Sequence, residues 1–253
     1  MPTLEWIGKS KVINHHQEVP FRVLERQYSY DEQGQHEEDN GSENMIIRGD
    51  NLEALKALLP RYEGRVKCIY IDPPYNTGNE GWVYNDNVND PKIKKWLGEV
   101  VGKEGEDLTR HDKWLCMMYP RLKLLQKLLA DDGVIFISID DREQVLLRMI
   151  CNEIFGENNF LAQFVWQKRT SPDMRKLVST AHEYVCAYCK DISYLPNAIS
   201  KVALSEEDAE NYKNPDNDPR GPWASSDFTA QGFRPNQMYE IITPGGARYT
   251  PPE

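Results

Sequence analysis

Apolar residues along the chain cluster either in short continuous runs or in stripes with helical spacing. The runs at 66–71 and 134–139 predict buried parallel strands, and those at 160–167 and 183–189 predict further strands at the edge of the sheet. The triplet 45–47 predicts one more short strand. Strands separated by helical stripes are typical of an α/β fold.

Two stretches between these runs have helical spacing. Residues 52–59 predict a short helix, and Asp50 followed by Glu53 matches a capping box at its start. From residue 112 to residue 130, apolar side chains recur at alternating intervals of three and four, which predicts a longer helix. Pro120 should kink or split that helix.

Two carboxylates, Asp140 and Asp141, follow the second buried run. Such a pair is compatible with catalysis, but an aspartate where a strand meets a helix more often accepts hydrogen bonds from the first N–H groups of the helix. We therefore predict that they cap the helix whose apolar stripe begins at Val145.

The first buried run ends abruptly in Asp72, Pro73, Pro74 and Tyr75. Proline fixes its own φ and pushes the preceding residue out of the helical region, so Asp72 and both prolines are held extended in a stiff turn. Neither proline has an N–H group, so the turn offers mainly acceptors, to which Tyr75 adds a flat apolar ring. Open α/β sheets bind ligands at the carboxyl ends of their strands, which makes this turn the candidate active site.

A planar ligand with an amino group on its edge fits this turn. The lone pair of an exocyclic base amine is delocalised into the ring. Hydrogen bonds from both amine hydrogens, to the Asp72 carboxylate and to the Pro73 carbonyl, favour the pyramidal form in which the lone pair can attack. The carboxylate also stabilises the positive charge that develops as the nitrogen takes up a methyl group, so no strong general base is required.

The tetrapeptide Asp72-Pro73-Pro74-Tyr75 resembles the D-P-P-Y catalytic motif of amino-directed DNA methyltransferases. An aspartate at its first position accompanies methylation of adenine N6 in that family, and a serine more often accompanies cytosine N4. Over nearly the whole chain, segments in order resemble the modification subunits of type III restriction–modification systems: 6–29, 44–60, 69–86, 111–125, 131–144 and 214–227.

The resemblance implies a Rossmann-like methyltransferase sheet, mostly parallel with antiparallel edge strands and incomplete in this chain. It implies methyl transfer from S-adenosylmethionine to adenine N6 in duplex DNA, with the four residues of the tetrapeptide catalytic. It places Asp50 and Asn51 near the cofactor, and Asp72 beside it. A cap at Asp50 is compatible with that place, because a cap at the carboxyl end of a strand borders the cleft.

Contacts to DNA are predicted for two groups of cations. Lys92, Lys94 and Lys95 belong to a polar segment, 76–108, that carries aromatic rings and leaves directly from the tetrapeptide, so it is placed to cover an extruded nucleotide. The alternative for this group is a surface loop with a solvated lysine cluster. The second group lies between the last two predicted strands and suits phosphate contacts, although an exposed basic turn is the commoner explanation: Lys168, Arg169, Arg175 and Lys176.

The formal net charge of −10 is unusual for a DNA-binding protein, because phosphate binding normally needs a basic surface. Six acids and no Lys or Arg lie in 31–43, so the remaining residues stand at −4, which fits a small basic patch or a DNA-binding surface outside this chain. We expect an N-terminal arm at 1–30, an acidic linker or loop at 31–43, a catalytic core at 44–195, and an irregular segment at 196–253.

Five cysteines, Cys68, Cys116, Cys151, Cys186 and Cys189, lie mostly inside apolar runs without the spacing of a disulfide framework, which indicates a reducing cytoplasm. Cys186 and Cys189 form a C-x-x-C pair within a predicted strand, and no second pair completes a zinc site, so no metal site is predicted. No apolar run reaches the length of a membrane helix, and the first residues lack a signal-peptide core.

A full enzyme of this kind carries an F-x-G-x-G-like loop after a strand, and no such loop lies in residues 1–253. In the family order that motif follows a target-recognition region. We therefore expect the chain to be the N-terminal portion of a longer protein, as a cloned fragment, a truncated product or half of a split enzyme. By itself it should bind the cofactor weakly or not at all.

By resemblance, the full-length protein is a homodimer that binds double-stranded DNA and pairs with a helicase-nuclease restriction subunit. Two other classes stay open. The chain is alternatively a non-catalytic remnant that binds DNA or a partner subunit, or a methyltransferase that acts on RNA or protein.

Overall fold

A computed structural model describes residues 3–76, 95, 98–100, 110–171, 174, 177–200, 202, 205, 209–225 and 238–250. Contacts between Cα atoms divide the chain into two compact units, 1–200 and 201–253. The first unit contains the main sheet, the long helices and the tetrapeptide.

The N-terminal residues form two one-turn helices and a small hairpin: α1 Lys9–Val12, α2 His15–Glu18, β1 Ser29–Asp31 and β2 Gly34–His36. Buried lysines attach the helices. Lys9 Nζ lies 2.9 Å from Glu153 Oε2, and Lys56 Nζ donates to the carbonyl groups of His16 and Gln17 at 3.0 and 3.2 Å. The hairpin occupies part of the segment that was expected to be an acidic linker or loop.

Three helices of the first unit surround its core: α3 Asn51–Tyr62, α4 Arg110–Leu128 and α5 Gln144–Phe155. α4 is the central one and contacts α1, α2, α3 and α5. Its side chains meet those of the sheet in a single hydrophobic core. The largest fully buried side chains of this core include Trp114, Leu122, Leu124, Ile135, Ile137, Leu147, Ile150 and Tyr188.

The main sheet has four described strands in the order β3-β4-β6-β5: β3 Val66–Ile71, β4 Leu129–Ile139, β5 Phe160–Gln167 and β6 His182–Cys189. β3 and β4 are parallel, whereas β4–β6 and β6–β5 are antiparallel. The antiparallel edge is confirmed, but a mostly parallel sheet is wrong for these strands, and β6 lies inside the sheet. Parallel neighbours need a long crossover, such as the one containing α4, while β5 returns to β6 through residues 168–181.

The register of β3 and β4 brings their carboxyl ends to the same edge. Ile71 pairs with Ile137, so the turn after β3 lies beside the end of β4. The register shifts between Val66 and Cys68, where an added Cβ on Gly133 would lie 2.7 Å from the Val66 carbonyl oxygen. Only glycine allows the backbones to approach so closely.

The predicted helices at 52–59 and 112–130 are confirmed as α3 and α4. Pro120 lies inside α4 but does not split it, because the surrounding turns are buried in the core and hold the helix around the missing N–H. The predicted strand at 45–47 is wrong. Ile46 is 94% exposed, and this triplet has no strand partner among the described residues.

Asp140 and Asp141 do not cap α5, contrary to the prediction. The N-cap residue is Glu143, whose side chain makes no capping hydrogen bond. Asp140 accepts the backbone N–H of Arg142 at 2.9 Å and pairs with its guanidinium at 2.7 Å, while Asp141 accepts the Tyr184 hydroxyl at 2.8 Å. A turn separates β4 from α5, so the carboxylate of Asp140 stabilises that turn rather than the helix.

Short elements complete the described structure: 3₁₀ turns Glu157–Asn159 and Ile192–Tyr194, and α6 Leu195–Ala198 in the first unit, with β7 Ile241–Ile242 and β8 Arg248–Tyr249 in the second. β7 and β8 pair antiparallel. In the part of the chain that the structure describes, no helix has the length and apolarity that a membrane crossing requires.

Candidate active site

The turn after β3 presents an exposed carboxylate above a buried backbone. Asp72 is exposed, Pro73 is buried, and Pro74 and Tyr75 are half-buried. β3 runs parallel to β4, so the turn lies at the carboxyl end of a parallel pair. This is the edge of an open α/β sheet at which ligands bind.

A buried indole fixes the backbone of this turn. Trp114 on α4 is fully buried, and its Nε1–H donates a hydrogen bond of 2.6 Å to the Pro74 carbonyl. Among the described residues, no hydrogen bond ends on the Pro73 carbonyl. The Pro74 carbonyl is therefore engaged, whereas the exposed Asp72 carboxylate has the Tyr75 hydroxyl as its neighbour.

Tyr75 lies between a carboxylate and an ammonium group. Lys168 Nζ lies 5.6 Å from the centroid of the Tyr75 ring, and the same atom lies 2.9 Å from Glu183 Oε2. Burial of the ring, and then the neighbouring Asp72, raise the pKa of Tyr75 above its ordinary value. The phenol therefore stays neutral at ordinary pH, and Tyr75 offers a flat ring rather than a charge.

Behind the turn lies a buried polar cluster of Asn76, Glu143 and His111. Asn76 and Glu143 are fully buried. Asn76 Nδ2 donates to Glu143 Oε1 at 2.5 Å and to the Arg110 carbonyl at 3.2 Å, and His111 Nδ1 lies 2.7 Å from the same Oε1. Burial raises the pKa of Glu143, while the Asn76 hydrogen bond and His111 oppose that shift.

Sequence reasoning missed this cluster. Asn76 directly follows the tetrapeptide, and that adjacency is the one local signal that pointed to it. Glu143 stands 67 residues from Asn76 and 32 from His111, so no spacing pattern joins the three.

The residues expected near the cofactor lie at the start of α3. Asp50 Oδ1 accepts the N–H groups of Leu52 and Glu53 at 2.9 and 3.1 Å, which confirms the predicted cap. Asn51 Oδ1 accepts from Arg121 Nε at 2.8 Å. None of the described hydrogen bonds joins Asp50 or Asn51 to the tetrapeptide, so their place beside a cofactor stays a prediction.

The predicted DNA-contacting cations are only partly described. Lys168 and Arg169 follow β5, and their backbone N–H groups donate to the Ala181 carbonyl at 2.7 and 3.2 Å. Lys95 is exposed, with its Nζ 3.8 Å from Glu99 Oε1. Phosphate contacts stay a prediction for all of these cations. The others fall outside the described residues: Lys92, Lys94, Arg175 and Lys176.

The C-x-x-C pair lies on β6, where both cysteines are buried. Burial raises the pKa of the Cys186 thiol to about 11, so this sulfur stays protonated at neutral pH. Within the described ranges, no group of three or more His, Cys, Asp or Glu side chains is arranged to hold a metal ion.

A family model for DNA methylases matches residues 66–241, so the chain belongs to the N6/N4 DNA methylase family. It is 37% identical over 231 residues to the Mod subunit of the type III restriction-modification enzyme EcoP15I of Escherichia coli. It is also 39% identical over 203 residues to the EcoPI Mod subunit of Escherichia phage P1. The predicted resemblance to type III modification subunits is thereby confirmed.

These alignments cover 83% and 75% of this chain but 35% and 30% of the two relatives. The chain thus spans about a third of the length of the curated relatives it matches. Among solved structures, it is similar to the PvuII DNA methyltransferase, described as cytosine-N4-specific, with 15% identity and a TM-score of 0.33 over 60% of this chain and 56% of that one.

Proposed function

We propose that the protein transfers a methyl group from S-adenosylmethionine to the N6 amino group of adenine in duplex DNA, as the modification subunit of a type III restriction–modification system. One observation carries the proposal: the D-P-P-Y turn at the end of β3, with Asp72 exposed and the Pro74 carbonyl held by Trp114. Family membership and the type III relatives support it. Because the chain spans about a third of those relatives, the activity is proposed for the complete protein.

The acceptors of the turn suit the amino group of an extruded adenine. The Asp72 carboxylate and the Pro73 carbonyl accept hydrogen bonds from its two N–H groups. The Pro74 carbonyl already accepts a hydrogen bond from Trp114. Both acceptors pull the amine towards its pyramidal form, which makes the lone pair available. As positive charge develops on the nitrogen, the carboxylate stabilises it and then accepts or relays the departing proton.

The Tyr75 ring provides the face on which the adenine ring stacks. Lys168 Nζ lies 5.6 Å from the centroid of the Tyr75 ring and forms an ion pair with Glu183. The ammonium group therefore contacts one side of the ring. A half-buried ring with a neutral hydroxyl suits an uncharged base. Tyr75 thus orients the substrate rather than exchanging protons with it.

S-adenosylmethionine, when bound, supplies the methyl group as an electrophile. The described residues fit it in part. The exposed Asp72 carboxylate, with the Tyr75 ring beside it, suits a cationic ligand. Asp50 and Asn51 are also exposed, but one oxygen of each side chain is already engaged, by the N–H groups of α3 and by Arg121. We assign Asp72 to the cofactor's positive charge and leave Asp50 and Asn51 as candidates.

The complete protein is further proposed to bind duplex DNA as a homodimer, to pair with a helicase-nuclease restriction subunit, and to act in the cytoplasm. The type III relatives support the DNA substrate and the restriction partner, because their names describe them as Mod subunits of restriction-modification enzymes. The homodimer rests on the resemblance to that family. Cysteines without a disulfide framework support the cytoplasmic location. Lys168 and Arg169 are the described cations proposed to approach the DNA backbone, at the same edge as Tyr75.

The test is methyl transfer by the complete protein to duplex DNA, followed by digestion of the DNA and identification of the methylated base. The wild-type protein should produce N6-methyladenine. Asp72→Ala should lower kcat about 100-fold or more, because it removes a preorganised charge from the developing cation.

Asp132→Ala is the matched control. Asp132 lies in the amino-terminal half of β4, away from the tetrapeptide, and its carboxylate pairs with Lys67 of β3. Its removal should leave kcat unchanged. Full activity of Asp72→Ala, or a product methylated on cytosine N4, would contradict the proposal. Methylation of RNA or protein without methylation of DNA would favour one alternative class, and absence of any transfer by the complete protein would favour a non-catalytic remnant.

A further inference from the structure

Glu143 is the N-cap residue of α5, but its side chain bonds to the residue after the D-P-P-Y turn and not to the helix. Its backbone carbonyl accepts the Leu147 N–H at 2.8 Å, so it occupies the N-cap position of α5, where side chains commonly accept the first helix N–H groups. Its side chain makes no such bond. Instead, the carboxylate points to the catalytic turn, where Asn76 donates to Oε1 at 2.5 Å.

Asn76 is the residue that Glu143 holds. Its φ of 57° is in the left-handed region, which L-residues other than asparagine and aspartate seldom adopt. It directly follows Tyr75, so the D-P-P-Y turn is followed at once by a left-handed residue. The Nδ2 group of Asn76 donates two hydrogen bonds, one to Glu143 Oε1 and one to the Arg110 carbonyl at 3.2 Å.

Two basic residues of α4 adjoin the carboxyl group of Glu143. His111 Nδ1 lies 2.7 Å from Oε1, and the His111 side chain is 45% exposed, so it connects the buried carboxyl group to solvent. The Arg110 guanidinium adds a positive charge nearby. A fully buried carboxylate is costly without such partners, which explains why two basic residues adjoin it.

Two acceptors of the cluster lie outside these bonds. Glu143 Oε2 and Asn76 Oδ1 are buried and have no hydrogen-bond partner among the described residues. The described contact between the two side chains is therefore the bond from Asn76 Nδ2 to Glu143 Oε1.

We propose that Glu143 is a positioning residue for methyl transfer. By holding Asn76 in its left-handed conformation, Glu143 fixes the Asp72 carboxylate and the Tyr75 ring where they receive the adenine amino group. His111 orients Glu143 from the solvent side. The proposal rests on the proposed function and adds to it a support that lies behind the turn and touches neither substrate nor cofactor.

The experiment compares Glu143→Ala, Glu143→Gln and Glu153→Ala in the complete protein. Kinetics of methyl transfer give kcat and KM for DNA, and hydrogen exchange with mass spectrometry follows the peptide that contains 72–76. Glu143→Ala should lower kcat about 100-fold with KM for DNA nearly unchanged, because a displacement of about 1 Å in a reacting geometry has such an effect. Exchange at the Tyr75 and Asn76 amides should accelerate about tenfold. Glu143→Gln keeps an oxygen acceptor for Asn76 and should restore most of the rate.

Glu153→Ala is the control on the same helix. Glu153 accepts from Tyr119 Oη and Lys9 Nζ, both at 2.9 Å, and lies away from the turn. Its loss should accelerate exchange in the N-terminal residues and leave kcat and the 72–76 peptide as in wild type. A merely structural role for Glu143 predicts that both alanine variants lose stability alike and keep wild-type kcat, an outcome that would overturn the proposal.

Failure of this proposal is distinguishable from failure of the proposed function. If the wild-type protein methylates no adenine, the proposed function fails, and the exchange of the 72–76 peptide still reports whether Glu143 holds the turn. If the wild type is active and Glu143→Ala has wild-type kcat and exchange, the positioning role fails alone. Equal loss of kcat in Glu143→Gln and Glu143→Ala would also contradict a role based on the oxygen acceptor.

Discussion

The indole N–H of Trp114 donates a hydrogen bond of 2.6 Å to the carbonyl oxygen of Pro74. The two proline rings fix φ at two successive positions, but they leave ψ of Pro74, and hence the direction of Tyr75, undetermined. The bond from α4 fixes that rotation. The stiffness of the catalytic turn is therefore completed by a residue 40 positions away.

Trp114→Phe should release the Pro74 carbonyl. The variant keeps most of the buried ring but leaves the carbonyl without its donor, which should cost about 1–3 kcal/mol of unfolding free energy. kcat should fall about tenfold or more, since the turn gains freedom. Urea unfolding measures the loss of stability, and methyl-transfer kinetics measure kcat.

Trp223→Phe is the control for this variant. It removes a similar hydrogen bond, from the indole N–H to Asp216 at 2.9 Å, on an exposed surface. Wild-type kcat in Trp114→Phe would refute this role.

Tyr75→Phe should retain most of the activity, whereas Tyr75→Ala should lose it, because the ring rather than the hydroxyl contacts the base. The pKa of Tyr75 is raised by burial and by Asp72, so the phenol does not ionise at working pH. The profile of kcat against pH between about 7 and 10 should be the same for wild type and Tyr75→Phe. A basic limb that disappears in Tyr75→Phe would instead assign the hydroxyl a role in proton transfer.

Asp50 variants separate a cap from a cofactor contact. Asp50→Ala removes the acceptor for two N–H groups of α3 and should cost about 1 kcal/mol of unfolding free energy. Asp50→Asn keeps an acceptor oxygen and should cost only a few tenths. If Asp50 only caps the helix, KM for S-adenosylmethionine is the same in wild type and Asp50→Asn. A raised KM at unchanged stability would show that the charge contacts the cofactor.

Glu143 should give the folded protein a pH-dependent stability. Burial raises its pKa above the ordinary 4.5, so the folded protein keeps a proton that the unfolded chain has already lost. Relative to Glu143→Gln, which does not ionise, wild-type stability should be greatest below the unfolded pKa and fall as the pH rises through the raised folded pKa. The slope for one proton is at most about 1.4 kcal/mol per pH unit.

Urea unfolding of wild type and Glu143→Gln at several pH values from about 4 to 7 measures this difference. Groups that do not contact Glu143 cancel in the comparison, and the measured slope belongs to Glu143 together with the adjoining His111. A difference that is constant with pH, or that grows in favour of wild type as the pH rises, would contradict a raised pKa.

The sequence predicted correctly those elements that are determined by residues close together in the chain. The D-P-P-Y turn, the cap at Asp50 and the apolar face of α4 each depend on residues a few positions apart, and each lies where it was expected. The strand at 45–47 failed because three apolar residues form a strand only beside a partner. Asp140 failed as a helix cap because the length of the turn before α5 decides which residue is the N-cap.

The sequence by itself determined the chemistry of the turn after β3: an aspartate and two prolines admit few conformations and offer acceptors in all of them. Family membership followed from the same residues and their order along the chain. Only the tertiary structure decided what holds the turn, namely Trp114 at the Pro74 carbonyl and Glu143 at Asn76. The reason is physical. Steric limits on φ act between neighbours in sequence, whereas a buried donor meets its acceptor only when the core has brought distant segments together.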